Sequence, residues 1–557
     1  MTADLIVTNG DVLTMDPSRP QAEALAMRDG ILLAVGTAAD IEDLRGPATR
    51  VLDAGGGTVL PGFCEAHMHL FLGAFELDHL QLDGIVGEAA LARAVHAHAA
   101  AQPPGGVVMA QGAAYGILGE DRRVTRHDLD RLVADRPFAL CAEDHHTVWA
   151  NTAALEAAGL LHGGPMPAGA EIVMGEDGRA TGELREHPAF EPIMALAGGA
   201  RARLGLSTGR DPMPPATPAE RAHDKALLRR GLAYCAAHGI TSIHNMDGNR
   251  YTLDLLSEIE AEGGLTARVR VPFHLKPEMP SDAVEEAVAL DRDFRGPRLR
   301  SGFVKLFMDG VLESWTAALL EDYADRPGAR GDLLFAPERF ADLATRIDRA
   351  GLQIAVHAVG DRAVRTVLDG YAAARAANGA RDARHRVEHI EVVHPADIPR
   401  FAQLGVVASM QPLHRPDPAR GGMEPIRSML GPARWPHAYA VETLRAAGAR
   451  VVFASDWPVS PIDPLASIAA ATATTPWAPG LPHQRTQMHG ALRHYTVDGA
   501  YCGFEEGVAG MLRPGFVADV TVLSPGEHAG ELGTHVTTTI ASGDIVHSKA
   551  AGQGTGR

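Results

Sequence analysis

The sequence predicts an α/β fold: a (β/α)8 TIM barrel with a small β-sandwich domain built from both chain termini and a large insertion after barrel strand 1. Three observations carry this. Eight short apolar stretches recur between residues 59 and 455, most of them followed by a helical pattern, and strand–helix alternation at that number marks a closed parallel barrel. Both ends of the chain read instead as short strands set off by Gly turns. The stretch from about 71 to 220 is too long for one crossover, and a chain of 557 residues exceeds a single compact core.

In order, the amino-terminal unit (1–60) offers strands at Leu5 to Val7, Asp11 to Thr14, Ala24 to Arg28, Ile31 to Val35 and Arg50 to Asp53, with turns at Asn9-Gly10 and Asp29-Gly30. The carboxy-terminal unit (500–557) matches it with Ala518 to Leu523, Val536 to Ser542 and Ile545 to Ser548, so the two are expected to complete one sandwich. The barrel (61–499) begins with Val59 to Phe63 and continues with Ile240 to His244, Arg268 to His274, Gly302 to Phe307, Gln353 to His357, His385 to His389, Val406 to Met410 and Val451 to Ser455. Helical patterns lie between, among them Pro218 to His238, Pro337 to Ala350, Arg362 to Ala377 and Val441 to Ala447. The insertion is expected to hold helices of its own, such as Glu88 to Ala101 and Thr125 to Asp135, and to lie over the barrel mouth as a lid or specificity segment.

Composition excludes several function classes. No run of about 18 uncharged apolar residues occurs, so no membrane span is expected. The first residues lack the basic and apolar regions of a signal peptide, which points to a cytoplasmic enzyme. A formal net charge of -18 argues against nucleic acid as a partner. Cys64, Cys141, Cys235 and Cys502 lie far apart, indicating neither a disulfide framework nor a cysteine zinc cluster. The chain has four lysines, and one of them, Lys305, stands inside an apolar strand and needs a reason.

Barrel active sites sit at the carboxy-terminal ends of the strands. His67 and His69 follow the first strand and share a side if the extended conformation continues through them. Lys305 lies in strand four, His357 and His389 end strands five and six, and Asp456 follows strand eight. Each has an ordinary structural reading, a buried histidine finding one partner or an aspartate capping the next helix. Jointly they point to a site for one or two divalent metal ions, since imidazole and carboxylate are the donors such ions select.

These positions fall in Pro61-Gly-Phe-Cys-Glu-Ala-His-Met-His69, Val304-Lys-Leu-Phe-Met-Asp-Gly310, His357-Ala-Val-Gly-Asp-Arg362, Arg386-Val-Glu-His389, Ser455-Asp-Trp-Pro-Val459 and Leu512-Arg-Pro-Gly-Phe-Val-Ala-Asp519. In these motifs and their order, over nearly its whole length, the chain resembles the amidohydrolase superfamily, and most closely its YtcJ-like branch, which includes N-substituted formamide deformylases. The resemblance implies one or two metals, commonly zinc, held by His67, His69, Lys305, His357, His389 and Asp456. An ammonium cannot ligate a cation. Burial lowers a lysine's pKa, and the neutral amine can add carbon dioxide to become a carbamate whose oxygens bridge two metals; the resemblance implies that modification of Lys305. The expected reaction is attack of metal-activated water on a carbonyl carbon of a small-molecule amide, with Asp456 taking the proton and delivering it to the departing amine.

Further candidates are His146 and Trp149, in a His-x-x-Trp-x-Asn stretch of the insertion, as substrate contacts; core packing is the competing reading of Trp149. At Trp315 the branch often has Arg, so an apolar wall and an uncharged, partly aromatic substrate group are expected there. Gly205-Leu-Ser-Thr-Gly209 matches a nucleophile elbow and makes a serine hydrolase through Ser207 a rival, in a Gly-, Arg- and Pro-rich context that does not suit it. A deaminase of a nitrogen heterocycle on the same fold and a non-catalytic scaffold are the other rivals. Zinc, manganese, iron and cobalt all suit the donor set, and a homo-oligomer is left open.

Overall fold

A computed structural model of the chain describes residues 1–549 except 83, 103–104, 120–121, 168, 417–422 and 529–530. The end of the expected terminal unit, 550–557, lies outside the described residues. Eight parallel strands form the barrel: β1 (Phe63–Met68), β2 (Ile240–Asn245), β3 (Arg268–Arg270), β4 (Phe303–Phe307), β5 (Gln353–Ala358), β6 (Arg386–His389), β7 (Val407–Met410) and β8 (Arg450–Phe453). From β1 to β3 and from β4 to β8 each strand pairs with its successor, and Phe273–His274, just past β3, pairs with β4. The ring closes where the Asp456 N–H donates to the His67 carbonyl at 2.8 Å and the Ser455 N–H to Glu65 Oε1 at 2.8 Å.

Period-two alternation sorts the side chains. On β4 and β5, Val304, Leu306, Ile354 and Val356 join Leu343, Ile347, Val364 and Val367 of the surrounding helices in the principal apolar core. Lys305, Gln353 and His357 are the alternate residues of the same strands. The lower barrel is polar and tightly paired: Arg386 is bound to Glu388 at 2.7 Å and to the Ala66 carbonyl at 2.7 Å, and Arg270 to Gln353 at 3.1 Å. The long helix Pro218–Ala237 begins with a Thr217/Glu220 capping box and Pro at its first turn. Helices Pro337–Arg349 and Asp361–Asn378 follow at the predicted places.

The start of the barrel departs from the expected single strand at Val59 to Phe63. Thr58–Pro61 belongs to a terminal sheet, between Asp11–Leu13 and Val520–Leu523, and β1 starts only at Phe63. Gly62 makes the switch. A Cβ there would lie 2.1 Å from Thr241 Oγ1, so the chain crosses onto β2 with no room for a side chain. That six-stranded sheet, drawn from both chain ends, and the four-stranded sheet of Leu5–Thr8, Ala24–Arg28, Ile31–Gly36 and Arg50–Asp53 share one apolar core that includes Val7, Leu25, Val59, Val522 and Ile540.

The insertion carries helices Glu88–Ala101 and Arg126–Leu132, as expected, and also a six-stranded sheet the sequence reading lacks, formed by Leu80–Gln81, Val108–Ala113, Phe138–Ala142, Thr147–Ala150, Glu171–Met174 and Ala180–Arg185. Several of these strands are short and alanine-rich, a poor match to β propensity. No helix among the described residues is long and apolar enough to cross a membrane.

Candidate metal centre

Extended backbone persists through Met68, so His67 lies in β1 and His69 directly follows, at the entry to the helix Leu70–Glu76. Each ring is pinned by a carboxylate from another strand. His67 Nδ1 is 2.7 Å from Glu388 Oε2 and His69 Nδ1 is 3.2 Å from Asp247 Oδ1. A ring held at Nδ1 presents Nε2 as its free donor. Both Nε2 atoms meet at Asp456, 3.2 and 3.3 Å from Oδ1, an oxygen with no hydrogen-bond partner among the described residues. Burial pushes the Glu388 carboxyl up, but the Arg386 guanidinium and His67 overcome it and hold it at about 2. Burial likewise opposes ionisation of Asp456, and the histidines around it win, keeping it well below the usual carboxylate range.

His389, at the end of β6, brings its ring centroid to 4.8 Å from that of His67 and 4.5 Å from that of His357, with Nδ1 3.8 Å from Asp456 Oδ2. One donor atom each from His67, His389 and Asp456 lies within 4.8 Å of the others. His357 stacks on Phe307 at 4.6 Å and turns Nε2 to the Gly310 carbonyl at 3.0 Å, leaving Nδ1 as its other ring donor. Lys305 is 0% exposed, and its Nζ has no hydrogen-bond partner among the described residues. Burial lowers its pKa to about 8, although Glu388 and Asp456 pull the other way, so roughly a tenth of the amine is neutral at pH 7.

The backbone is strained around the same point. Asp456 (φ 61°), His389 (φ 74°), Glu186 (φ 64°) and Trp315 (φ 60°) all adopt the left-handed region, a conformation that costs non-glycine residues energy and clusters at functional sites. Two oriented imidazoles converging on one carboxylate oxygen, with a buried amine that has no hydrogen-bond partner among the described residues, make a donor set that fits a divalent cation.

The remaining predicted residues divide. His146 reaches the centre from the insertion, its ring 5.8 Å from that of His357 and its Nδ1 2.7 Å from Glu186 Oε2. Burial opposes its protonation, but Glu186 raises its pKa to about 9. Trp149 instead sits 2% exposed in the insertion core, edge-on to Tyr115 at 5.2 Å. Trp315 packs against an apolar cluster that includes Leu312, Tyr323 and Tyr439, with charged groups on its other side. Its Nε1–H faces Asp325 at 3.3 Å, and the guanidinium groups of Arg123, Arg185 and Arg326 stand 5.2 to 5.9 Å from its ring. Ser207 ends the helix Ala200–Ser207 and so lacks the strand–turn–helix of an elbow.

Asp247, after strand two, could be placed near the mouth from sequence but matched no expected ligand, and the orienting role of Glu388 was missed although it stands within a quoted strand end. Sequence reasoning also missed His414, which stacks on His389 at 5.8 Å with an interplanar angle of 7°. A histidine four residues past β7 was the available signal.

The profile of the amidohydrolase family matches residues 50–547. The YtcJ protein of Bacillus subtilis is 27% identical over 97% of this chain and 99% of its own. The N-substituted formamide deformylase of Arthrobacter pascens is 28% identical over 93% of each. Among solved structures, an uncharacterized metal-dependent hydrolase of Pyrococcus furiosus aligns with a TM-score of 0.68 and 27% identity, covering 93% of this chain and 98% of that one.

Proposed function

The chain belongs to the amidohydrolase family, and from that premise we propose that it is a metal-dependent hydrolase cleaving the C–N bond of a small-molecule amide, with N-substituted formamides as the first substrate class. The likeness to the Arthrobacter formamide deformylase over nearly full length supports the choice of formamides. The observation that carries the hydrolase reading is the meeting of His67, His389 and Asp456 donor atoms within 4.8 Å, with the rings of His67 and the neighbouring His69 already oriented by carboxylates.

In this reading His67, His69 and Asp456 would hold one divalent ion, zinc foremost, and His357 and His389 would hold a second. The neutral Lys305 amine would add carbon dioxide, releasing one proton, and the resulting carbamate would supply an anionic oxygen donor to the same centre. Ions held there supply Lewis acidity and make water nucleophilic near neutral pH. Asp456, ionised and within hydrogen-bond reach of both His67 and His69, takes the proton of the attacking water and gives it to the departing amine. His146 closes the site from the insertion. The proposed partner is the small-molecule substrate alone; the net charge of -18 supports no nucleic-acid role. The four cysteines are free and buried, which supports a reducing, cytoplasmic setting.

A panel of N-formyl and N-acyl amines tests this. Release of the substituted amine, abolished by a chelator and restored by added metal, is expected. Ammonia released from a nitrogen heterocycle, with no amide cleaved, would replace this reading with deamination, and hydrolysis indifferent to chelation would overturn the metal role.

A further inference from the structure

Five barrel strands, β1, β4, β5, β6 and β8, bring candidate ligands to the centre. At the end of β7 the chain places Gln411. It is 4% exposed, and neither its amide oxygen nor its amide nitrogen has a hydrogen-bond partner among the described residues. Burying a carboxamide without a partner is unfavourable, so such a group marks a place where a partner is to come from elsewhere. Gln411 borders a partly open cleft, of which His389, His414, Val441 and Phe453 also form walls.

Of the other polar groups on those walls, His414 Nε2 also has no hydrogen-bond partner among the described residues, whereas Tyr439 and Gln484 are committed. The Tyr439 hydroxyl donates to Glu391 Oε2 at 2.9 Å. Gln484 accepts from the Glu442 and Thr443 N–H groups at 2.9 and 3.2 Å and donates to Thr443 Oγ1 at 2.8 Å. Of two glutamines lining one cavity, one is fully engaged by protein and the other is not.

We propose that Gln411 is a specificity-determining residue that receives a second, neutral donor–acceptor group on the amine portion of the substrate: a carboxamide, ureido or lactam edge. This rests on the amide-hydrolase reading above and names the substrate class further. A primary carboxamide offers one acceptor and two donors side by side, which an amide-type edge matches at two points. Val441 and Phe453 give the cleft apolar flanks, and Glu391 and Arg415 bring opposite charges to the same walls, a balance that suits a neutral group. The geometry also fits the reaction. A formamide whose carbonyl faces Asp456 has only its amine substituent to extend, and the cavity that holds Gln411 opens beside His389.

Two amines that are not themselves cleaved serve as probes of the metal-loaded full chain: 3-ureidopropylamine and its hydrocarbon isostere 5-methylhexylamine. Calorimetry is expected to show the ureido amine binding at least about tenfold tighter, because a site built to pair a polar group is left unsatisfied by an isostere that lacks it. Gln411→Leu is expected to erase that preference while still binding 5-methylhexylamine. Gln411→Glu, of the same size but without the N–H donors, should weaken it and serves if the leucine variant does not fold. No preference in the wild type, or a preference that survives both substitutions, overturns the proposal. Hydrolysis of the two N-formyl derivatives is followed in parallel. Binding preference without hydrolysis would sink the catalytic reading alone, and hydrolysis without preference would sink this one alone.

Discussion

A pair of histidines two residues apart becomes a donor pair only when something turns both rings the same way, and here Glu388 and Asp247 do so from β6 and just past β2. Glu388→Gln keeps the shape but removes the charge facing His67. It should weaken metal affinity by about 10- to 100-fold, measured by competition with a chelator. Asp456→Asn removes the proton carrier and should lower kcat by about 10^2 to 10^4 in steady-state assays of amine release. Lys305→Met should abolish activity and also remove a mass increment of one carbon dioxide from the native protein; an intact wild-type mass without that increment would contradict the carbamate. The six proposed ligands were candidates from sequence because each stands in a motif on or just after a barrel strand. Gln411 and His414 were not, since Met410-Gln-Pro-Leu-His414 looks like any turn after a strand until the ring of His389 is seen beside it.

Among the elements, the barrel strands after the first and the helices around them were largely legible, because buried parallel strands read as short continuous apolar runs between helical patterns, whereas the first was placed at Val59 to Phe63, ahead of Phe63–Met68. The insertion was half legible. Its helices have clear periodicity, whereas strands such as Phe138–Ala142, Phe-Ala-Leu-Cys-Ala, carry three small or weakly β-forming residues and declare themselves only when paired with Val108–Ala113 and Thr147–Ala150. Trp149 illustrates the limit: its spacing from His146 suggested one shared role, but strand alternation would need an even offset, and an offset of three sends one side chain to the centre and the other into the insertion core. Trp149→Ala should destabilise the protein by about 3–5 kcal/mol, read as a lower thermal midpoint. A variant that kept its stability and lost only substrate affinity would return Trp149 to the site.

Over the whole molecule, pairing of the two chain ends fastens the terminal sheets to the barrel: Arg268 of β3 is paired with Asp519 and Glu505, and Arg513 with Asp16 at 2.7 Å. Stability should accordingly depend on acid. Arg513 holds Asp16 well below the usual carboxylate range. For Asp128, burial pushes upward, but Thr125 and Arg122 bring it to about 2. A carboxyl whose folded pKa lies below its unfolded value near 3.9 binds its proton more readily when unfolded. The stabilisation is complete above about pH 4 and is lost as pH falls through about 2, so thermal midpoints should decline over that window, and less steeply for Asp128→Asn. The closing of the ring, which brings β8 against β1 and sets Asp456 between His67 and His69, is also what the functional account depends on. Anomalous X-ray diffraction from crystals of the purified protein tests that most directly. The account predicts one or two metal peaks within coordinating distance of His67 Nε2, His69 Nε2 and Asp456; crystals with no anomalous peak there, or with the metal bound elsewhere, would contradict it.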